Sequence, residues 1–300
     1  MFGELSIKEL TDLKNYVKDY KNEFRETVDV PDFLKFGCEI EFNTRKSIPY
    51  YEKKIKNDKY DIVYDVSGTS IIEVISPILY NTKEDWDSLR ETLLKIKYGN
   101  IDHNTGGHIH YDSSIIKDEN LISLLKFWFI FEEVIYDFAK GEFNELRRYV
   151  DYYAKKLDNL DFYIDKFENN KSKDLRIFNC YNKYYGLNIS NHVRYGDSCW
   201  IFNDTYEVRV PNGSLDINIW QNNVEFFANF IKFANEKSNR ELINDMYKYG
   251  KLDNDYNNKI LLADLIYKNE ESKIRFLNQF ELNKSFNENV KKKGLLSIFR

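Results

Sequence analysis

Polar and apolar residues alternate without a break along "FGCEIEF": Phe36, Cys38, Ile40 and Phe42 fall on one side of an extended segment, and Glu39 and Glu41 on the other. The pattern predicts a strand that buries one face and presents two carboxylates on the opposite one. "DIVYDVSGTSIIEVISPIL" (61–79) reads as strand, turn at Gly68, strand, with Pro77 at the end of the second strand, where no ladder donor is needed. These strands also carry acids, Asp65 and Glu73. "GGHIHYD" (106–112) predicts a third extended segment, and "YYGLNIS", "CWIFN" and "TYEVRVPNGS" predict strands later in the chain.

Helical spacing marks other segments. Leu10, Leu13 and Val17 predict an amphipathic helix from Ser6 to about Glu26. "TKEDWDSLRETLLKIKY" starts at Thr82, has acids in its first turn and lysines in its last, and is predicted as a capped helix. A long apolar helix is predicted over Leu121 to Lys140, a second over "YVDYYAKKLDNLDFYIDKF", and another from Asp216 to about Tyr249; polar helix follows to the C-terminus. No internal repeat and no Gly/Ser/Pro linker divides the chain.

Composition adds exclusions. With 300 residues, 42% of them hydrophobic and only four prolines, the chain can bury a large core. The net charge of −5 gives no overall attraction to nucleic acid or to an acidic membrane, so an anionic ligand must be held locally. The N-terminus lacks the continuous apolar core of a signal peptide, and no window reaches a membrane span, so a cytoplasmic protein is expected. Cys38, Cys180 and Cys199 are odd in number and irregularly spaced, which argues against disulfides. Tyr-rich stretches such as "DYYAKK" follow a general compositional bias and are given little weight.

Residues two apart on a strand share a face about 7 Å apart. Glu39 with Glu41, His108 with His110, and Glu207 with Arg209 are therefore three polar pairs. If the acids meet on one concave face, charges ~4 Å apart repel by ~4 kcal/mol at an effective dielectric near ~20. Cations relieve this, and carboxylates with imidazole suit Mg2+ or Mn2+ better than a structural zinc. Taken singly, each pair also has a plain reading: a solvated strand face, a surface charge pair, or, for Asp65, a turn residue.

The order of the blocks separates these readings. "FGCEIEF", "DVSGTSIIEVISPIL", "TGGHIHYD" and "YEVRVPNGSL" together resemble the amidoligase family, relatives of glutamine synthetase and glutamate–cysteine ligase, over about Phe36 to Phe230. The resemblance implies an α+β fold: a curved antiparallel sheet of the glutamine synthetase catalytic type, flanked by helices. The expected organisation is an N-terminal helical extension (1–30), which is an addition to the family's core pattern, a catalytic domain (31–250) and a helical C-terminal extension (251–300) packed on it. The implied activity is ATP-dependent joining of a carboxylate to an amine through an acyl phosphate at a Mg-ATP site. Matched position by position, Glu39, Glu41, Asp65, Glu73, His108 and Glu207 are the implied metal ligands. His110, Gly106, Gly107 and Arg209 would meet the nucleotide, the glycines by letting the backbone approach the phosphates. Arg209 and Glu41 are the implied catalytic residues. The segment 149–184 does not align, and Arg147, Arg148 and Arg176, in or beside it, are further candidates for phosphate binding. Implied partners are small-molecule or peptide carboxylates and amines.

Three other readings compete. A metal-dependent hydrolase would need H-x-H-x-D-H, but Ser113 stands where the last histidine belongs. A cupin would place a glutamate soon after H-x-H in another strand. A degenerate nucleotide- or metal-binding protein would be expected to have lost some of these acids and imidazoles, all of which are present.

Overall fold

The computed structural model describes residues 7–31, 33–55, 59–64, 71–96, 99–102, 104–171, 174–193 and 204–282. Asp65, Gly68, Cys199 and the predicted strand "CWIFN" lie outside them. Helix α1 (Ile7–Asp19) precedes strand β1 (Lys35–Asn43), helix α2 (Ile48–Ile55), strands β2 (Asp61–Tyr64), β3 (Ile71–Ile75) and β4 (Leu79–Tyr80), and helix α3 (Lys83–Lys95). Strand β5 (Gly107–Asp112), helices α4 (Leu121–Phe138), α5 (Val150–Tyr153) and α6 (Leu160–Asn169), strand β6 (Leu187–Asn188), helix α7 (Ser190–Val193) and strand β7 (Thr205–Val208) follow. The chain then runs through α8 (Ile217–Asn235), α9 (Arg240–Tyr249), α10 (Tyr256–Ile266) and α11 (270–282).

The strands form an open antiparallel sheet in the order β2-β3-β1-β5-β7-β6, with β4 paired to the start of β1. Alternation divides the sheet into two faces. Phe36, Cys38, Ile40 and Phe42 of β1, Ile109 and Tyr111 of β5, and Tyr206 and Val208 of β7 are buried on one of them. Helices α4 and α8 join this core: Tyr111 Oη donates to the α8 carbonyl of Val224 (3.0 Å), and Phe127 of α4 stacks on Phe230 of α8 at 4.4 Å. Burial pushes the Cys38 thiol well above its ordinary pKa, so it serves as inert core volume.

Local chemistry sets the helix starts, at Thr82 as expected. Thr82 accepts from Asp85 N at α3, and Asp216 and Asp255 accept from Asn218 N and Asn258 N at α8 and α10. Tertiary contacts override the helical period in three places. The N-terminal helix ends at Asp19, not near Glu26, and the following segment is fastened by the Asn81 amide, which accepts from Val28 N and donates to Val28 O. The single helix predicted over 149–167 is divided into α5 and α6, because Lys155 between them bridges to Tyr185 and Leu157 N donates to buried Glu132. The helix predicted over 216–249 breaks after Asn235, whose carbonyl accepts from Asn120 Nδ2, while Glu236 N and the Asn239 side chain turn back to Phe233 O.

The C-terminal helix closes on the same core. Asn278 Nδ2 donates to Val17 O (2.7 Å), and Gln279 Nε2 to Phe138 O (3.1 Å). Glu225 of α8 is 2% exposed and lies between Arg25 (2.5 Å) and Arg275 (3.0 Å). Among the described residues, no helix is long and apolar enough to cross a membrane.

Candidate functional site

The non-core face of the sheet gathers the polar pairs. Register places Glu39 opposite His108, Glu41 opposite Glu73, and His110 opposite Glu207. Five of the six expected metal ligands, Glu39, Glu41, Glu73, His108 and Glu207, thus share one face across four adjacent strands; the sixth, Asp65, lies outside the described residues. Glu39 is central: Oε2 is 2.9 Å from His108 Nδ1, and Oε1 is 2.8 Å from His110 Nε2. His108 Nε2 is 3.5 Å from Glu41 Oε1, and Glu207 Oε1 is 3.8 Å from both His108 Nδ1 and His110 Nε2.

Two guanidinium groups stand against these acids. Arg209 pairs with Glu207, and its backbone N donates to Gly186 O. Glu207 is 4% exposed, so this is not a surface pair; its second oxygen accepts from Asn188 Nδ2 at 2.7 Å. Arg147, one of three arginines that the sequence leaves open, is the one placed here. It is 5% exposed, 3.7 Å from Glu41 Oε2 and 3.3 Å from His108 Nε2, and it donates to Arg209 O at 2.8 Å. Arg148 is exposed, and Arg176 is exposed against Asp174.

The two glycines pack tightly within the chain. A Cβ on Gly106 would fall 1.7 Å from Arg147 Nη1, and one on Gly107 would fall 3.0 Å from Asn212 O and 3.1 Å from Trp220. Gly106 N donates to Glu41 Oε2 (2.6 Å). Asn188 and Asn212 were not singled out in the sequence. Asn212 holds the turn that carries Arg147: Oδ1 accepts from Arg147 N, and Nδ2 donates to Glu145 O and Lys140 O. A signal existed for each, Asn188 as the polar neighbour of core Leu187 in β6 and Asn212 within "VPNG".

The electrostatics favour charged carboxylates. Burial alone would raise the Glu39 pKa, but the hydrogen bond from His108 and the His110 imidazole 2.8 Å away hold it well below the usual carboxylate range. Burial acts against the His110 cation as well, yet Glu39 and Glu207 raise its pKa. Glu207 is likewise lowered against its burial, chiefly by Arg209.

Two sets of donor atoms lie close enough together to share one cation: Glu39, Glu73 and His108, and Glu39, His110 and Glu207. His110 Nε2 is buried and meets no acceptor at a hydrogen-bonding angle, although carboxylate oxygens lie beside it. A buried nitrogen left in this way among carboxylates fits a hard divalent ion with mixed oxygen and imidazole ligands. At His108 the guanidinium of Arg147 can only donate, so Nε2 accepts and Nδ1–H faces Glu39. A cation taking Nδ1 must displace that proton.

A cavity of about 350 Å³ opens from Glu39 and His110. It passes Gly37 and is walled by Ile75, Pro77 and Ile78, with Lys35 at its edge.

A family model described as "Putative amidoligase enzyme" matches residues 10–231. The match begins inside α1 and closes inside α8. No curated protein matches the chain.

Proposed function

From this chain's membership of the amidoligase family, we propose that it is an ATP-dependent carboxylate–amine ligase working through an acyl phosphate. The observation that carries the reading is the convergence of Glu39, Glu41, Glu73, His108 and Glu207 on one sheet face. The open sheet is read as one of the glutamine synthetase type. Mg2+ or Mn2+ would be held by the donor sets around Glu39, with Glu41 and Asp65 as further ligands, and would neutralise triphosphate charge.

The nucleotide is assigned to the cavity beside His110, which is lined by Gly37, Ile75 and Ile78. Through the cation that it could share with Glu39 and Glu207, His110 would face the phosphates. In the first step a substrate carboxylate oxygen attacks the γ-phosphorus, and the bond to ADP breaks. Arg209 would meet the charge that develops, a contribution larger in the transition state than before it. In the second step the amine nitrogen bonds to the carbonyl carbon, phosphate leaves with the electron pair, and the amine gives up a proton.

The test is incubation with ATP, Mg2+, hydroxylamine and a panel of carboxylic acids. Hydroxamate with ADP and phosphate is expected. AMP with pyrophosphate, or no nucleotide turnover with any acid, would overturn the reading.

A further inference from the structure

We infer that Arg147 is a positioning residue of this site and that Gly106 is glycine because the guanidinium of Arg147 occupies the space of its missing side chain. Three separated segments converge on the arrangement. The β5 entry supplies Gly106, whose Cβ would overlap Nη1 at 1.7 Å and Cζ at 2.7 Å. The segment after β7 supplies Asn212, which fixes the backbone of Arg147 and of the turn before it. The head group then reaches Glu41, His108 and Arg209 O.

The guanidinium is the flexible end of a long side chain, so at an open surface it would swing aside. Here it is 5% exposed and bound on three sides, so a methyl group at position 106 must expel it. Expulsion removes the cation beside Glu41, which is 6% exposed, and the donor that orients His108. Arg147 touches no reacting atom in this assignment; it sets the pose of two side chains that do the binding. This accounts for two motifs together, the first glycine of "TGGHIH" and the asparagine of "VPNG".

The inference rests on the reading of the cluster as a divalent-cation site, and its test uses the metal alone. Mn2+ affinity of the full chain is measured by electron paramagnetic resonance for the wild type, Gly106→Ala, Arg147→Ala and the double variant, with a thermal melt of each. Each single substitution should weaken Mn2+ binding about tenfold or more, and the double variant should fall within about threefold of either, because the second change removes nothing further. Arg147→Lys keeps the charge without the fork and serves if Arg147→Ala does not fold; it should weaken binding in the same direction. Multiplicative losses in the double variant, or a Gly106→Ala protein that binds Mn2+ like the wild type, would overturn the positioning role alone. A wild-type protein that binds no Mn2+ would overturn both this inference and the cation-site reading.

Discussion

Glu39 divides its two oxygens between two imidazoles, and this division ties cation binding to protons. The raised pKa of His110 means that its ion pairing stabilises the metal-free fold below the ordinary imidazole pKa and is lost as pH rises through the raised value. The lowered pKa of Glu39 works from the other side: its contribution is present above the ordinary carboxylate range and is lost as pH falls through its folded value. A cation needs the imidazole lone pair, so it competes with the proton that Glu39 and Glu207 favour. Mn2+ affinity should therefore climb with pH and reach its half-way point above 6.5, the ordinary value for this group. Titrations at a series of pH values test this, and a half-way point below 6.5 would count against His110 as a ligand.

At the scale of elements, β1 and β5 were legible because period two is imposed by the pleat itself, and a buried face leaves little freedom in which residues point inward. The start of α3 was legible for a local reason, since Thr82 and Asp85 are three residues apart. Thr82→Ala removes that cap and should lower stability by about 1 kcal/mol while leaving Mn2+ affinity unchanged. Thermal melts with a metal titration check both halves. The break between α5 and α6 was not legible, because the partners that stop the helix, Tyr185 and Glu132, are distant in sequence. Arg147 was hidden for the same reason: three arginines had equal standing until Gly106 and Asn212 were brought beside one of them.

Across the whole molecule, the segments at either end of the described chain are joined through α8. Glu225 receives Arg25 from the connection after α1 and Arg275 from α11, all three being largely buried. Glu225→Ala leaves Arg25 without its carboxylate and Arg275 with only the exposed Glu271, and should cost about 3–5 kcal/mol, the scale for breaking a buried pair from one side. Denaturant unfolding measures this, and a loss below about 1 kcal/mol, the value of an exposed pair, would show that the two ion pairs add little to holding the ends. The sheet register has a consequence for how such a chain can change over generations. Each of β1, β5 and β7 carries core on one parity of its numbering and ligands on the other. Removing one residue from the middle of β5 exchanges the two sets beyond the cut, sending an imidazole into the core and an apolar side chain to the site. Removing two keeps the parity. Length variation within these strands should therefore be inherited in even steps, with odd steps confined to the connections between them.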